Sequence, residues 1–168
     1  NLHVFDFDIV EVKNINNQNF NRSDIGKYKV EAMYEKLLDI NEDFEISQFH
    51  KEMFLYETHK GYFNRPTVLY VCIDVGRQDL LNKVQYNPNV KCVIETRIGV
   101  DVGKVYMIQD KKDWTNYLKS LPSEAEELTV REASPCGEAL SIAPAIVLTA
   151  SIAAQALRWY TDKNKKTK

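Results

Sequence analysis

The sequence predicts an α/β protein with a Rossmann-like, doubly wound and mostly parallel sheet that carries helices on both faces. Strand-like and helix-like patterns alternate along the chain, which is typical of this class. Residues 67–73 are a run of β-branched and aliphatic side chains, as expected for a strand buried on both faces, and residues 90–98 predict a second buried strand. Asp6 and Asp74 end apolar strands, at the edge where open α/β sheets bind ligands.

Length and composition indicate one domain. At 168 residues and 44% hydrophobic content, the chain is long enough for one α/β core and too short for two. We therefore predict a single nucleotide-binding domain over residues 1–168, with a solvated basic tail at residues 163–168. The net charge of −2 lacks the clustered positive excess that binds a phosphate backbone, so no nucleic-acid partner is expected.

The cysteines and histidines give no pattern of a structural metal site. No C-x-x-C pair occurs and the three histidines share no ligand spacing, so no structural zinc is expected. Cys72 and Cys92 lie in apolar strand-like runs and resemble buried thiols of a reducing compartment, which predicts a cytoplasmic location.

Residues 142–157 are rich in alanine and aliphatic side chains. Gln155 interrupts this run, and the run is shorter than a bilayer span. We expect a buried helix here and no membrane anchor.

The first half of the chain predicts two strands and one helix. Residues 2–7 predict a short apolar strand, and residues 44–50 alternate like a second one. Ser23 or Asp24 is suited as the N-cap of a helix that runs to about residue 40. The segment that follows, to about residue 64, fits no single pattern.

The second half predicts a central strand and its surroundings. The predicted elements are the central strand at residues 67–73, a helix at 77–86, strands at 90–98 and 100–108 that form a hairpin, and a short surface helix at 113–121. A long helix at 144–160 has Pro144 in its first turn, where proline is favoured. The residues expected on its inner face are Ile146, Ala150, Ala153, Ala154 and Leu157.

Polar residues behind the first strand are candidates for a nucleotide site. Asp6 stands where nucleotide folds bind ribose hydroxyls, although a carboxylate in water at a strand end is an alternative, and Asp8 is the weaker candidate. In the loop and helix entry beyond, amide and cationic groups are suited to hold a triphosphate, or else form an ordinary polar surface; these are Asn14, Gln18, Arg22 and Lys29. For Lys29, helical periodicity alone favours a solvent-facing lysine.

Two roles are possible for each of three further residues. Asp74 follows a buried strand and is suited either to hold a magnesium ion or to cap the next helix. Arg97 either completes an anionic pocket or pairs with a structural carboxylate. Cys136 precedes a helix whose dipole would favour its thiolate, yet a free loop cysteine is more often inert.

Taken together, these pieces resemble the ubiquitin-activating-like adenylyltransferases whose bacterial members are ThiF, MoeB and HesA. In that family a D-x-D strand end is followed by an N-x-x-R-Q loop, a G-x-x-K helix entry, a magnesium-associated aspartate and a late C-x-E-A…A-P…Q-A pattern. The matching residues here are Asp6 to Asp8, Asn14 to Gln18, Gly26 to Lys29, Asp74, Cys136 to Ala139, Ala143-Pro144 and Gln155-Ala156.

The resemblance implies an activity and a set of roles. Asp6 would bind the ribose, Asn14 and Lys29 would hold the phosphates of ATP, and Asp74 would position Mg²⁺. Asp8 and Gln18 are further candidates for nucleotide binding. Cys136 matches a cysteine that some members use in sulfur or thioester chemistry. The implied reaction is attack of a protein or peptide C-terminal carboxylate on the α-phosphate, giving an acyl-adenylate and pyrophosphate.

The chain departs from the family pattern in three places. The loop arginine is replaced by Asn17, so Arg22 is the candidate to reach the same phosphates. The glycine-rich G-x-G-x-x-G turn that receives phosphates is not in this chain, and we expect that segment to precede Asn1. The family's cysteine-pair zinc site is missing too, which indicates a divergent branch.

These observations lead to an expected function with two alternatives. The expected function is ATP-dependent adenylation of the carboxylate of a ubiquitin-like or small peptide partner, by a homodimer. The first alternative is a family member that has lost catalysis and acts as a binding or scaffold protein, as Asn17 permits. A nicotinamide-dependent enzyme ranks last, because it gives Asn14, Lys29 and Cys136 no role.

Overall fold

The computed structural model shows a mixed α/β chain that divides into two compact units, Asn1–His59 and Lys60–Lys168. The residues that it describes are 2–15, 18–41, 48–73, 76–98, 103–121 and 143–165. Each unit has its own small sheet. That one nucleotide-binding domain spans residues 1–168 remains a prediction.

Unit 1 is built on a pair of short parallel strands. Strand β1, His3–Phe5, pairs with β2, Gln48–His50, so that Phe5 lies opposite His50. Helix α1, Lys29–Ile40, contacts β2, and the short helix α2, Tyr56–His59, ends the unit. Val10, Phe20 and Ala32 form a buried cluster in this unit. The sequence therefore predicted β1 and the described part of β2, while residues 44–47 of the predicted second strand lie outside the described residues.

The predicted start of α1 at Ser23 or Asp24 is wrong. Arg22–Asp24 form a separate 3-10 turn, in which the Asp24 carboxylate accepts the Asn21 N–H at 2.7 Å. Gly26 then adopts φ +89°, a left-handed conformation that breaks the helical path. The α-helix consequently begins only at Lys29.

All three histidines of the chain lie in unit 1 beside aromatic rings. The Phe5 ring stacks on His50 with centroids 4.0 Å apart, and His59 lies 5.0 Å from Phe5 and 5.2 Å from Phe54. Burial lowers the pKa of His50, the neighbouring His3 and His59 lower it further, and only Glu52 opposes them. The fold therefore favours the neutral form of this imidazole.

Unit 1 is expected to lose stability in mild acid through His50. Because its pKa is lower in the folded chain, the unfolded chain takes up the proton first as the pH falls below about 6.5. Stability is therefore full above that value and falls as the pH drops toward the folded pKa. Urea midpoints followed by circular dichroism at pH 7.5 and pH 5.5 measure the loss. His50→Phe, which keeps a ring on Phe5, should reduce it; an unchanged loss in that variant contradicts the assignment.

Unit 2 contains a three-stranded mixed sheet. Its strands are β3, Thr67–Val71, β4, Val90–Ile98, and β5, Gly103–Ile108, in the order β3-β4-β5. β3 pairs with β4 in parallel, whereas β4 and β5 form the predicted antiparallel hairpin. The expectation that residues 67–73 form the central strand is wrong, because β4 is the middle strand. β4 buries five consecutive residues, while Tyr70 on β3 is exposed.

The helices of unit 2 follow the predicted order. Helix α3 is Arg77–Val84, α4 is Lys111–Lys119 and α5 is Ala143–Lys165. Asp110 caps α4 by accepting the Asp113 N–H at 2.8 Å. No helix among the described residues is long and apolar enough to cross a membrane.

Helix α5 packs on the sheet through a different face from the predicted one. Thr149 and Ala153 are buried, and Ala156 and Tyr160 pack against the same cluster as Cys92 and Ile94. The residues predicted on the inner face behave otherwise: Ala150, Ala154 and Leu157 are exposed, Ala153 is buried, and the side chain of Ile146 lies outside the described part. Alanine occurs on both faces of this helix, so periodicity did not distinguish them.

Helix α5 approaches β5 most closely at Gly103. A β-carbon built on Gly103 would lie 1.6 Å from Thr149 Oγ1 and 2.9 Å from Thr149 Cβ. Only a residue without a side chain therefore allows Thr149 to lie against the strand.

The two strand cysteines differ from one another. Cys92 is buried as expected, and burial raises the pKa of its thiol to about 11. The expectation that Cys72 is buried is wrong: it lies exposed just beyond the end of β3, where its Sγ accepts the Thr96 hydroxyl at 3.2 Å.

Candidate functional site

The carboxyl end of β1 carries two aspartates that are linked to each other. The Asp6 N–H donates to the His50 carbonyl at 3.1 Å, which continues the pairing of β1 with β2. Asp6 Oδ1 then accepts the Asp8 N–H at 2.8 Å. The turn after β1 is thereby held by its own side chain, as is usual for aspartate in turns.

The half-buried Asp6 is suited to bind hydroxyl groups. Burial raises the pKa of its carboxyl group above the usual value, while the Asp8 N–H and the Lys29 ammonium lower it in part. A partly desolvated carboxylate gains stability from added hydrogen-bond donors. The two hydroxyls of a ribose are such donors, so Asp6 fits the predicted role.

Lys29 lies next to these aspartates at the first position of α1. Its Nζ is 2.7 Å from Asp8 Oδ2, and its backbone N–H donates to the Asp8 carbonyl at 2.8 Å. Only 17% of the Lys29 side chain is exposed, against 48% of Asp8. The solvent-facing alternative for Lys29 is therefore wrong. A cation and two carboxylates meet at one end of the strand pair.

Asn14 lies in the loop but uses its side-chain oxygen locally. Asn14 is buried and its Oδ1 accepts the Glu11 N–H at 2.8 Å, which closes the 3-10 turn Val12–Asn14. The Asn14 carbonyl accepts the Gln18 N–H at 2.8 Å. The side chain of Gln18 is exposed. Asn14 thus shapes the loop, and phosphate binding by Asn14 and Gln18 remains a prediction.

Arg22 is exposed at the start of its 3-10 turn. The same turn holds the buried Asp24, whose carboxylate lies 2.9 Å from Lys36 Nζ on α1. The Asn21 N–H and the Lys36 ammonium lower the pKa of Asp24. This ion pair links the 3-10 turn Arg22–Asp24 to α1. Sequence reasoning missed it because twelve residues separate the partners.

Two predicted site residues, Asp74 and Cys136, lie outside the described residues, as does Asn17. The structure thus brings together Asp6, Asp8 and Lys29, and the predictions for Asp74 and Cys136 are not tested. Among the described residues, no group of three histidines, cysteines or carboxylates is arranged to hold a metal ion.

Unit 2 contains a buried charge cluster that the sequence did not predict. Glu95 on β4 is fully buried, and its Oε1 lies 2.9 Å from Arg77 Nε and 3.1 Å from Arg97 Nε. Arg97 also donates to the Tyr117 hydroxyl at 2.9 Å and lies over the rings of Tyr106 and Tyr117. Of the two readings of Arg97, the pair with a structural carboxylate is therefore correct.

Arg77 also binds the backbone at the end of β3. Its Nε and one terminal nitrogen donate to the Ile73 carbonyl at 3.0 and 2.6 Å. Ile73 is the residue before Asp74 in the sequence. Glu95 contacts the same guanidinium, so the buried cluster extends to Ile73, the last described residue before Asp74.

Comparison with known proteins agrees with this fold. The model of the ThiF family matches residues 1–168. A crystal structure of E. coli MccB with MccA-N7isoASN is similar, with a TM-score of 0.63 and 18% identity over 91% of this chain and 47% of that chain. A second, of E. coli MccB with succinimide, gives a TM-score of 0.62 and 20% identity over 91% and 46%.

These comparisons confirm the predicted family and the Rossmann-like fold class. The chain spans about half the length of the solved chains that it matches. No curated protein matches the sequence significantly.

Proposed function

Because this chain belongs to the ThiF family, we propose that it is an ATP-dependent adenylyltransferase that activates the carboxylate of a peptide or ubiquitin-like partner. The single observation that carries the proposal is the meeting of Asp6, Asp8 and Lys29 at the carboxyl end of β1. A partly desolvated carboxylate suits a ribose, and an ammonium on a mostly covered side chain suits a phosphate.

The proposed roles follow the chemistry of each side chain. Asp6 accepts hydrogen bonds from the ribose hydroxyls, and Lys29 binds phosphate oxygens. Asn14, Gln18 and Arg22 lie on the loop before α1 and are the proposed further phosphate ligands.

The proposed reaction is attack of a carboxylate oxygen on the α-phosphorus of ATP, with release of pyrophosphate. The acyl-adenylate keeps the AMP portion. Cations stabilise this step because negative charge builds up on the leaving pyrophosphate. Asp74 is proposed to hold Mg²⁺, which supplies further neutralisation of that charge. The proposed role of Cys136 is a later attack of its thiolate on the acyl carbon of the acyl-adenylate, which forms a thioester and releases AMP.

Two points support a peptide as the partner over a free small acid. The family resemblance implies a protein or peptide C-terminal carboxylate, and one similar solved structure holds MccA-N7isoASN. A homodimer is proposed on the same resemblance, and a cytoplasmic location is proposed because the cysteines are odd in number and scattered along the chain.

Binding of MgATP tests the proposal directly. Titration calorimetry should show binding to the unmodified chain, and Asp6→Asn should weaken it about tenfold to a hundredfold, because one charged hydrogen-bond acceptor is lost. Asp79→Asn is the matched control, since Asp79 is an exposed carboxylate of unit 2 that pairs with Lys83.

The outcome also separates the two functional readings. An unmodified full-length protein, including the segment expected before Asn1, that binds neither ATP nor AMP with magnesium contradicts the enzyme and favours the scaffold protein that Asn17 permits. With binding established, pyrophosphate exchange into ATP in the presence of a carboxylate partner should collapse in Asp74→Ala. Exchange that survives this substitution contradicts the role proposed for Asp74.

A further inference from the structure

Lys29 is held by Asp8 through two separate contacts. One joins the side chains, Nζ to Oδ2 at 2.7 Å, and the other joins the backbones, Lys29 N–H to the Asp8 carbonyl at 2.8 Å. The second contact fixes where the lysine side chain starts, and the first fixes where it ends. A lysine side chain is otherwise flexible and loses considerable rotamer entropy when a ligand orders it.

The backbone around this pair keeps the two residues opposite each other. Ile9 and Tyr28 form an antiparallel bridge, the Val10 N–H donates to the Lys27 carbonyl at 2.9 Å, and the Gly26 N–H donates to the Val10 carbonyl at 3.0 Å. The short pairing of residues 8–10 with residues 26–29 therefore sets the register. Lys29 faces Asp8 because of this register and not because of helix α1 alone.

Asp8 is in turn fixed by the strand pair. Its N–H donates to Asp6 Oδ1 at 2.8 Å, and the Asp6 N–H donates to the His50 carbonyl at 3.1 Å. A continuous series of hydrogen bonds thus leads from β2 through Asp6 and Asp8 to the Lys29 ammonium. The Asp6 side chain accepts a hydrogen bond from the Asp8 backbone, and the Asp8 side chain accepts one from the Lys29 ammonium.

The geometry leaves the ammonium able to bind an anion. An ammonium has three donors, and the contact with Asp8 Oδ2 uses one of them. A lysine that is ordered before the ligand arrives loses less entropy on binding it.

We propose that Asp8 is a positioning residue, which orients the Lys29 ammonium toward the phosphates of ATP and does not itself bind the nucleotide. This inference rests on the proposed function and changes one part of it, because Asp8 was expected among the nucleotide ligands. Asp6 and Asp8 then act differently: Asp6 acts on the nucleoside, and Asp8 acts on the phosphates through Lys29.

A double-mutant cycle on MgATP affinity tests the inference. Calorimetry is carried out on the unmodified chain, Asp8→Asn, Lys29→Gln and the double variant. Each single substitution should weaken MgATP binding about tenfold, as expected for loss of a charged hydrogen bond. In the Lys29→Gln chain, Asp8→Asn should cause no further loss, because its effect passes through the lysine.

Adenosine affinity provides a second measurement. A purely structural role of Asp8 would lower the affinity for adenosine as well as that for MgATP when Asp8 is replaced. Adenosine lacks phosphates, so Asp8→Asn should leave adenosine affinity unchanged while Asp6→Asn lowers it. Asp8→Glu keeps the charge and should restore part of the MgATP affinity. The matched control is Glu35→Gln, which breaks the exposed Lys27–Glu35 pair on the same unit and should leave both affinities unchanged.

Two results would overturn the inference. One is an equal loss from Asp8→Asn with and without Lys29, and the other is a parallel loss of adenosine binding in Asp8→Asn; both would make Asp8 a nucleotide ligand. Failure of the proposed function has a different signature, which is no MgATP binding by the unmodified chain.

Discussion

Replacing Glu95 with alanine is expected to lower the free energy of unfolding of unit 2 by about 3–5 kcal/mol. Glu95 is fully buried in the middle strand of the sheet and is the shared partner of two arginines. Removing it leaves the guanidinium groups of Arg77 and Arg97 side by side without their carboxylate. Both side chains are mostly covered, so water replaces the lost contacts poorly.

Urea unfolding followed by tryptophan fluorescence measures this change, because Trp114 and Trp159 both lie in unit 2. Glu95→Gln keeps the shape and one acceptor oxygen for the arginines, so it should lose less than Glu95→Ala. Asp79→Ala serves as the surface control, since the Asp79 side chain is 70% exposed and exposed ion pairs such as Asp79–Lys83 contribute at most about 1 kcal/mol. A loss in Glu95→Ala no larger than in this control would contradict the stabilising role of the cluster.

Gly103→Ala is expected to destabilise unit 2 by about 3 kcal/mol, the upper part of the usual range for overpacking. The added methyl group would lie 1.6 Å from Thr149 Oγ1, far inside van der Waals contact. Helix α5 would have to move away from β5 or Thr149 would have to turn. Because the helix also packs on β4 through Ala153, movement there would open the same core.

A second substitution separates this clash from other effects of alanine. Thr149→Ala removes the hydroxyl and the methyl group, leaves Cβ at 2.9 Å, and should therefore restore part of the stability of Gly103→Ala. Gly61→Ala is the matched control, since a β-carbon there meets nothing within 4 Å. The same urea experiment serves for the four variants, which are Gly103→Ala, Thr149→Ala, the double variant and Gly61→Ala. Additive losses from Gly103→Ala and Thr149→Ala would show that the two residues do not interact.

The sequence predicted much of the fold because the apolar runs are distinctive. β1 and the hairpin of β4 and β5 follow from runs whose spacing fits only a strand. The start of α1 could not be predicted from the sequence, because Asp24 is a residue type that is common at N-caps, but its carboxylate accepts a hydrogen bond inside a separate turn. The packing face of α5 could not be predicted either, because small residues occur on more than one face of this helix.

The candidate site was predictable in part for a similar reason. Asp6 was singled out because it follows an apolar strand, and Lys29 because it lies at the helix entry behind the loop. The structure brings the two residues to the same end of the strand pair, and their roles as ligands remain predictions. Periodicity placed Lys29 in solvent, since it takes no account of Asp8, which is twenty-one residues away along the chain. Glu95 was missed because a carboxylate inside a strand is normally read as a surface residue, and its arginines come from two other positions.

The short pairing of residues 8–10 with residues 26–29 separates the loop at residues 11–25 from the Asp8–Lys29 contact. Residues 11–25 carry the proposed ligands Asn14, Gln18 and Arg22. The chain enters this loop at Val10 and leaves it at Gly26, and the buried Phe20 and the Asp24–Lys36 ion pair hold its second half to the rest of the unit. The Asp8 to Lys29 contact lies on the other side of Val10 and Gly26. Each doubling of loop length costs only about 0.6 kcal/mol in closure entropy. The first half of this loop can therefore change in length and sequence to bind other phosphate or peptide groups, while the Lys29 ammonium stays in place.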